Sequence, residues 1–527
     1  MQKESMSRIR QKTKKVKQSG GRVLFRLIFG RTMITVLLLL LQILCLIGIF
    51  RMVGLSENLL TISNLLGMAA IIYIINSEEN PAFKLAWVLP ICLVPVFGIG
   101  FYLFIILNPG NRGLQKLLNR RKDETKPYLR TEYRVVEKLK KESSGIRNLG
   151  HYIQNQNGFP TCDHTNVTFF ATGEEKYADL LKELERAEQF IFLEYFIINQ
   201  GEVWDHVLEI LERKAKAGVE VRVMYDGMCA LVSLPYRYPQ QLRERGIKAK
   251  MFSPIKPLLS THQNNRDHRK IAVIDGRVAY NGGINLADEY MNIKKRFGHW
   301  KDTAVKLEGE AVRSFTVMFL QMWYMTEAGE GEYEKYLPHF EAPSTSGYVI
   351  PYNDDPINRL DIAESVYLDM LYKAKKYVHI MTPYLVPDQE LIQALKYAAR
   401  RGVDVKLVLP HIPDKKYAYL LARTYYQQLI SNGVEIYEYT PGFVHAKVFT
   451  CDDERAVVGT INLDYRSLYL HFECAAYIWK NPVINDIELD FFHTLEKCQR
   501  IDLENCKKYN PIAKVAGQIL RLIAPLM

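Results

Sequence analysis

Hydrophobic residues form three long stretches near the start of the chain, at 33–50, 59–75 and 85–107. The first and third contain no charged residue and are long enough to span a bilayer, which takes about 20 apolar residues. The middle stretch is weaker because it contains Thr61, Ser63 and Asn64. The pattern therefore predicts a transmembrane region over 33–107, made of two or three apolar segments.

The topology of this region follows from the charges on either side of it. Residues 1–32 and 112–122 are both rich in Lys and Arg, which favour the cytoplasmic side of a membrane. Three complete crossings would place these basic segments on opposite sides. We therefore expect two effective crossings, with the rest of the chain in the cytoplasm. The weak second stretch, or the third stretch with its Pro90 and Pro95, is then interfacial or re-entrant.

Beyond residue 165, hydrophobic positions alternate between the spacing of amphipathic helices and that of short strands. The first half of this part is predicted to contain helices at 177–187 and 203–217 and strands at 189–198 and 218–226. The second half repeats the plan, with helices at 363–374 and 388–400 and strands at 377–381 and 402–409. Helices that alternate with strands indicate right-handed crossovers and parallel pairing. The predicted fold class is therefore α/β, with two similar halves.

The same pattern divides the chain into six segments. We predict a basic cytoplasmic tail at 1–32, the transmembrane region at 33–107, a connector at 108–165, a first half at 166–340, a second half at 341–510 and an amphipathic C-terminal helix at 511–527. The connector is predicted to be partly helical, for example at 131–141. In the last segment Lys514, Gln518 and Arg521 share one narrow polar stripe, which suits either a membrane interface or docking onto the rest of the chain.

Charge and cysteine content narrow the function classes. The chain has 527 residues and a formal net charge of +11, yet ten Lys and Arg lie within residues 1–31 against the single Glu4. A basic tail beside an apolar segment favours contact with anionic lipid headgroups over binding of nucleic acid. A disordered solubilising tail is the alternative. The eight cysteines are scattered without a C-x-x-C pair, so we expect reduced thiols and no structural metal.

One motif occurs twice in the sequence. Residues 268–275 and 445–452 both read H-x-K-x4-D, 177 positions apart, and seven residues after each Asp begins G-x-I-N. Six letters recur at fixed spacing, whereas any one letter arises by chance about one time in twenty. This argues against two unrelated hairpins with surface histidines. The two copies supply His268, Lys270, Asp275, Gly283 and Asn285, and His445, Lys447, Asp452, Thr460 and Asn462.

Local structure explains the spacing within each copy. The β-prone residues 271–274 and 448–449 predict strands, and the sequence Asp275-Gly276 predicts a hairpin turn. Because residues i and i+2 of a strand point to the same face, each His projects together with its Lys. Asp275 and Asp452 lie at the far ends of their strands, which favours hairpin or orienting roles over proton donation. Each Asn follows the return strand and comes back beside the His-Lys pair.

These residue types suit the transfer of a phosphoryl group. A neutral imidazole can attack phosphorus and form a covalent intermediate, while a second imidazole protonates the leaving alkoxide. Lysine ammonium and asparagine amide groups can hold the non-bridging phosphate oxygens and offset the charge of the transition state. The two copies therefore predict one site that works without a metal or another cofactor.

The duplicated motif resembles the signature of the phospholipase D superfamily. This resemblance implies two similar α/β halves that meet at one site, and a ping-pong reaction through a phosphohistidine. It implies a catalytic set of His268, Lys270, Asp275, His445, Lys447 and Asp452, and substrate-binding roles for Gly283, Asn285, Thr460 and Asn462. In the superfamily an acidic residue downstream of each motif orients the histidines, which points to Asp302 and Glu473.

Within the superfamily, the chain most resembles the bacterial cardiolipin synthases, over the apolar N-terminal segments that end with 85–107 and over both halves to about residue 500. The resemblance implies an enzyme of the cell membrane that uses phosphatidylglycerol and makes cardiolipin, with release of glycerol. By analogy His268 is the nucleophile and His445 the general acid and then base, an order that the nearly symmetric copies leave open. Formation of a homo-oligomer is also left open.

Other functions are alternatives at this point. A hydrolytic phospholipase D, or a transferase with another acceptor lipid, would use the same residues. The apolar stretches argue against a nuclease of the superfamily, and the intact histidines and lysines argue against a membrane scaffold. Outside the motifs, Glu194 could border the site, Tyr384 could line a lipid path and Arg466 could contact a second phosphate. Ordinary packing, hydrogen bonding or ion pairing is the alternative for each of them.

Overall fold

The structure, a computed structural model, describes Leu44 and residues 57–526, apart from 107–108, 230–232, 255–264, 328, 340–342, 344 and 359. The basic tail and the first apolar stretch, except for Leu44, lie outside the described residues. Predictions for those segments are therefore not tested by it.

The second and third apolar stretches form three helices. These are α1 (Glu57–Ile75), α2 (Pro81–Leu93) and α3 (Pro95–Ile106). The third stretch is divided at Val94 because Pro95 lacks the amide hydrogen that would continue the preceding helix. Ile74, Trp87, Ile91 and Tyr102 pack together between these helices. Within the part of the chain that the structure describes, no helix is long and apolar enough to cross a membrane.

The connector contains three helices, namely α4 (Pro109–Thr125), α5 (Tyr133–Glu142) and α6 (Ser144–Asn157). The helix predicted at 131–141 corresponds to α5. Helix α6 was not predicted, although Ser143 accepts a hydrogen bond from the amide of Ile146 as an N-cap. Both helices bury apolar side chains, Leu139 and Ile153 among them, in the core of the second half. The connector therefore packs into the core of the second half.

The first half contains one seven-stranded sheet with helices packed on both faces. Its strands are β1 (Thr165–Phe170), β2 (Phe190–Tyr195), β3 (Glu220–Asp226), β4 (Lys248–Phe252), β6 (Lys270–Ile274), β7 (Val278–Gly282) and β9 (Ala304–Gly309), and β5 (Arg266–Asp267) and β8 (His299–Lys301) lie outside this sheet. Its helices are α7 (Gly173–Arg186), α8 (Glu202–Lys216), α9 (Tyr238–Glu244) and α10 (Ala311–Tyr324). The strand order is β1-β9-β7-β6-β2-β3-β4.

The second half repeats this sheet in the same order. Its strands are β10 (Tyr348–Asp354), β11 (Tyr377–Met381), β12 (Leu385–Val386), β13 (Asp404–Pro410), β14 (Glu435–Tyr439), β15 (Gly442–Val444), β16 (Val448–Cys451), β17 (Arg455–Gly459), β18 (Leu463–Asp464), β19 (His471–Trp479) and β20 (Cys498–Ile501). Its helices are α11 (Ile362–Lys373), α12 (Gln389–Arg400), α13 (Lys416–Ile430), α14 (Val483–Leu495), α15 (Leu503–Lys507) and α16 (Pro511–Ile523). The main path is β10-β19-β17-β16-β11-β13-β14-β20, so that β20 is one extra strand.

The predicted mixture of helices and strands in two similar halves is confirmed, with one refinement of the strand pairing. The helix-connected strands β2, β3 and β4 are parallel, as are β11, β13 and β14. The motif strands β6 and β16 instead pair antiparallel on both sides. A tight hairpin such as that at Asp275 and Gly276 permits only antiparallel pairing with the next strand. Each sheet is therefore mixed.

The two halves are joined by two short pairs of parallel strands and a shared core. Strand β5 of the first half pairs with β19 of the second, and β15 of the second half pairs with β8 of the first. Helix α10 lies in a core that contains residues of both sheets, for example Ile271 and Val448. These crossings fix the two motif strands close to each other, because each pair ends directly before a motif histidine.

The C-terminal helix α16 has a docked side and an exposed side. At Gly517 it lies so close to α13 that an added Cβ would be 2.7 Å from Cγ2 of Thr424. Arg521 stacks over the ring of Tyr425 at 4.5 Å. The opposite side exposes apolar side chains to solvent, namely Ile512, Val515, Ile519, Leu522 and Ile523. Docking therefore leaves an apolar face free.

Candidate active site

The two motif histidines are placed by equivalent backbone contacts between the halves. The amide of His268 donates to the carbonyl of Phe472 at 3.0 Å, and the amide of His445 donates to the carbonyl of Lys301 at 2.6 Å. Phe472 directly precedes Glu473, and Lys301 directly precedes Asp302. Each motif histidine thus lies beside the acidic residue of the other half, His268 beside Glu473 and His445 beside Asp302.

The side chains repeat this exchange between the halves. Nδ1 of His268 lies 2.8 and 2.9 Å from the two carboxylate oxygens of Glu473. Nδ1 of His445 lies 2.6 Å from Oδ2 of Asp302. Both carboxylates are fully buried. A carboxylate on Nδ1 fixes the ring and leaves Nε2 free for chemistry. The motif order in the sequence does not indicate that each carboxylate serves the histidine of the other half.

The environment keeps both imidazoles neutral. Burial, followed by the charges of Lys270 and Lys447, lowers the pKa of His268 well below its usual value. The same causes, with Lys447 ahead of Lys270, lower the pKa of His445. Burial also raises the pKa of Asp302 to about 7. A neutral imidazole with its lone pair on Nε2 is the form that can act as a nucleophile or base.

The two lysines supply positive charge beside the histidines. Nζ of Lys270 donates to the carbonyl of His268 at 2.5 Å, and Nζ of Lys447 donates to the carbonyl of His445. Each ammonium group carries three hydrogens, so donors are left for a ligand. Burial lowers the pKa of Lys270 to about 8 and that of Lys447 to about 7. Two buried lysine side chains at one place make it suitable for a phosphate group.

The second residue of each G-x-I-N segment contacts an orienting carboxylate. A Cβ added at Gly283 would lie 2.0 Å from Oδ1 of Asp302, so the close approach requires glycine. In the second half Thr460 donates its hydroxyl to Glu473, which also accepts the bond from His268. These two residues, which we predicted to bind substrate, therefore lie against the groups that orient the histidines.

The two motif asparagines differ in their contacts. Oδ1 of Asn285 accepts from the amide of Ile197 at 2.9 Å, and its Nδ2 donates to the hydroxyl of Tyr290 at 2.8 Å. Oδ1 of Asn462 is buried and has no hydrogen-bond partner among the described residues. Asn285 thus retains one amide hydrogen for a ligand, whereas Asn462 still has an unpartnered acceptor.

The motif aspartates hold the backbone of their own half. Asp275 accepts hydrogen bonds from the amides of residues 188, 189 and 190 at 2.7 to 2.8 Å. Asp452 accepts from the amides of residues 375, 376 and 377 at 2.7 to 3.1 Å. Both have left-handed backbone conformations, with φ of 52° and 56°. Each aspartate therefore ties its hairpin to the start of the central strand, β2 or β11.

Several residues near the site were not predicted or were left open. Glu194 is fully buried and accepts from Arg269, the residue between His268 and Lys270, and Arg269 also donates to Asp267 at 3.3 Å. The second motif has a buried alanine at the equivalent position, so this ion pair exists in one half alone. The spacing of residues in the sequence does not indicate this ion pair, because Glu194 lies 75 residues from Arg269.

His471 is a second histidine beside the first motif. Its ring centroid is 5.4 Å from that of His268, and Nε2 accepts from Nε of Arg466 at 3.3 Å. His268, His471 and Glu473 offer donor atoms within 4.8 Å of one another and could hold a metal ion. A metal bound there would compete with the Glu473 hydrogen bond that orients His268. In the sequence, His471 is distinguished only by its position two residues before Glu473.

Two oriented imidazoles with two lysines define a site for phosphodiester transfer of the phospholipase D type. Residues 180–323 and 367–495 match the family profile described as cardiolipin synthase, PLD-like domain. Residues 65–105 match the profile of the phospholipase D-nuclease N-terminal region. The chain belongs to the bacterial cardiolipin synthase family of the phospholipase D superfamily, as the sequence resemblance indicated.

Similar proteins cover most of the chain. A cardiolipin synthase of Geobacillus sp. (strain WCH70) is 34% identical, over 87% of this chain and 91% of the relative. A cardiolipin synthase of Alkalihalophilus pseudofirmus is 32% identical, over 86% and 91%. An uncharacterized protein of Streptococcus mutans is 49% identical, over 87% of this chain and all of the relative.

The fold also matches a solved structure. The phosphatidylserine synthase of Haemophilus influenzae superposes with a TM-score of 0.54 at 13% identity, over 73% of this chain and 98% of that one. At this identity the match concerns the fold alone, namely the arrangement of two similar α/β halves.

Proposed function

We propose that the protein is a cardiolipin synthase that transfers a phosphatidyl group from one phosphatidylglycerol to another, giving cardiolipin and glycerol. The observation that carries the proposal is the pair of buried histidines, each held through Nδ1 by a carboxylate of the other half. With Lys270 and Lys447 this arrangement supplies two imidazoles and two cations at one place, as a two-step phosphodiester transfer requires. Membership of the cardiolipin synthase family supports the choice of lipids.

His268 is the nucleophile in the first step. Its neutral Nε2 attacks the phosphorus of the first lipid, the P–O bond to glycerol breaks, and protonated His445 gives its proton to the leaving alkoxide. Lys270 and Lys447 hold the non-bridging oxygens. The bound phosphodiester anion offsets the lysine charges, which favours the protonated form of His445. The product of this step is a phosphohistidine that carries the phosphatidyl group.

The second step reverses the roles of the groups. The terminal hydroxyl of the second phosphatidylglycerol gives its proton to His445 and attacks phosphorus, and the P–N bond to His268 breaks. Glu473 and Asp302 keep both rings oriented throughout. We assign Asp275 and Asp452 to positioning of the motif strands, because their oxygens accept backbone amides. Asn285 and Asn462 are assigned to the phosphate.

The substrates place the site at a membrane surface. We assign 33–107 to the membrane region and 1–32 to a cytoplasmic tail on anionic headgroups. Helices α1 and α2 expose large apolar side chains, namely Ile62, Leu65, Leu66, Met68, Ile72, Leu85 and Leu93. Together with the exposed face of α16 they support association of the two halves, 166–340 and 341–510, with the cytoplasmic leaflet and an interfacial position for 511–527.

Product analysis tests the proposed function. Purified protein receives phosphatidylglycerol alone with a chelator, and lipids and water-soluble products are separated. We expect cardiolipin and glycerol in equal amounts, lost in His268→Ala and His445→Ala and kept in His493→Ala, which changes an exposed histidine on α14. Phosphatidic acid without cardiolipin would assign hydrolysis instead. Turnover only after addition of another phospholipid would assign a different acceptor.

A further inference from the structure

A groove leads away from the active site on the surface of the second half. It lies between the start of α13 and the segment after Asn462, and its lining includes Tyr384, Lys415, Leu421, Asp464, Arg466 and Ala524. The ring of Tyr384 lies 6.4 Å from that of Phe443, which lies 5.9 Å from the ring of His445. This row of rings connects the groove to the catalytic centre.

Two cations line the end of the groove near the site. Lys415 is exposed, and its Nζ lies 4.8 Å above the ring of Tyr384. Arg466 is half-buried and donates to His471, whose ring centroid lies 5.4 Å from that of His268. Neither cation forms a direct ion pair with a carboxylate of the described residues. The charge of Lys415 nevertheless acts on both motif histidines. Positive charge is therefore available here in addition to Lys270 and Lys447.

One carboxylate lines the same part of the groove as these cations. Asp464 accepts a hydrogen bond from the amide of Ser467 at 2.8 Å, and the charges of Lys415 and Arg466 both act on it. A carboxylate of this kind can accept a hydrogen bond from an alcohol while the cations beside it bind a phosphate. The polar end of the groove therefore matches a phosphate that carries a hydroxylated headgroup.

Apolar side chains form another part of the groove's lining. Leu421 and Ala524 belong to it, and Ala524 follows directly on α16, whose free face is apolar. Tyr465 forms part of the wall and meets Phe83 of α2 with ring centroids 5.8 Å apart. The groove thus combines two cations with an apolar wall that adjoins α2 and the end of α16. This combination is that of a glycerophospholipid lying with its headgroup at the site.

We propose that the groove binds the acceptor lipid, with its phosphate on Lys415 and Arg466, its headgroup hydroxyl beside Asp464 and its acyl chains towards α16. The proposal rests on the proposed function and specifies its second substrate. The first phosphatidyl group occupies Lys270 and Lys447 as the phosphohistidine, so the second phosphate needs cations of its own. The acceptor oxygen then forms the new P–O bond as the P–N bond to His268 breaks, and its proton passes to His445.

Two assays on the full-length enzyme in vesicles of phosphatidylglycerol separate acceptor binding from donor binding. Exchange of radiolabelled glycerol into phosphatidylglycerol requires the donor lipid and a small acceptor, whereas cardiolipin formation requires the second lipid. For Lys415→Met and Arg466→Gln we expect cardiolipin formation to fall about tenfold more than glycerol exchange, because one charge-assisted contact is lost. Lys416→Met, adjacent, exposed and outside the groove lining, serves as the matched control.

Two other outcomes would contradict the assignment of Lys415 and Arg466 to the acceptor lipid. An equal fall in both assays would place the two cations at the donor lipid. Unchanged rates of both cardiolipin formation and glycerol exchange would show that these cations do not bind lipid. Failure of the proposed function has a separate signature, since the unsubstituted enzyme would then exchange or hydrolyse phosphatidylglycerol without making cardiolipin.

Discussion

The histidine rings of the site depend on two carboxylates that the chain supplies from far away. Glu473 lies 205 residues from His268, and Asp302 lies 143 residues from His445. Each carboxylate selects the tautomer with hydrogen on Nδ1 and stabilises positive charge on the ring when Nε2 forms a bond to phosphorus or takes a proton. In the proposed mechanism they therefore act through the histidines, as positioning residues.

Substitution of either carboxylate by its amide is expected to reduce turnover strongly. Asp302→Asn or Glu473→Gln keeps the shape but can present a hydrogen to Nδ1, which favours the wrong tautomer. We expect kcat to fall about a hundred- to ten-thousandfold with little change in KM. Steady-state assays with phosphatidylglycerol measure this, and Glu454→Gln, an exposed carboxylate in the same half, is the control. Near-normal kcat in both variants would exclude the orienting role.

Substitution of Gly283 by alanine tests the close approach to Asp302 through a steric clash. The Cβ of Gly283→Ala would lie 2.0 Å from Oδ1 of Asp302, so the carboxylate has to move away from His445. We expect a loss of kcat of at least about tenfold with a folded protein. Gly145→Ala, whose added Cβ would meet nothing closer than 3.6 Å, should retain activity. Full activity of Gly283→Ala would show that the position of Asp302 is not critical.

The lowered pKa values of the two buried lysines predict that activity declines as the pH rises above neutral. Burial lowers the pKa of Lys447 to about 7 and that of Lys270 to about 8, so each loses its charge as the pH rises through that value. Because the neutral amines hold a phosphodiester anion less well, kcat/KM should fall from about pH 7 upward. Lys447→Arg retains its charge, so the fall should begin nearer pH 8. A profile of the unsubstituted enzyme that stays flat to pH 9 would contradict this.

At the level of secondary structure, local sequence patterns predict most helices and strands of the halves. The periodicity places α8, α11 and β13 within one or two residues of their observed bounds. It does not predict α6, whose helical pattern is interrupted by polar residues. It also does not predict the pairs β5–β19 and β8–β15, because two or three residues give no periodic signal and their partners are distant in sequence.

The docked side of α16 can be tested apart from its exposed side. In Gly517→Leu the side chain would collide with Thr424 and the backbone of Leu420, where an added Cβ already lies within 3.0 Å. Overpacking of this kind costs about 1–3 kcal/mol and should detach the helix from α13. Faster tryptic cleavage at Lys507 or Lys508 reports detachment. Gly113→Leu, where an added Cβ meets no atom within 4 Å, is the control, and equal cleavage in both variants would argue against the docking.

At the level of the whole molecule, the duplication explains both what the sequence predicts and what it leaves open. The repeated motif indicates two similar halves and one shared site, because six letters at matched spacing identify equivalent positions. It cannot indicate that Glu473 meets His268, since a symmetric motif fits pairing within a half as well as between halves. That choice depends on how the two sheets pack around α10, which is a property of tertiary structure.

The most direct test of the proposed mechanism follows the covalent intermediate in the unsubstituted enzyme and in the two histidine variants. Enzyme mixed with phosphatidylglycerol labelled on phosphorus is quenched in alkali, and the label is mapped to peptides. We expect label on the peptide that contains His268, none in His268→Ala, and slow but persistent labelling in His445→Ala, which lacks the general acid and base. Label on the peptide of His445, or no covalent label at any time, would contradict a transfer in which His268 is the nucleophile and both halves form one site.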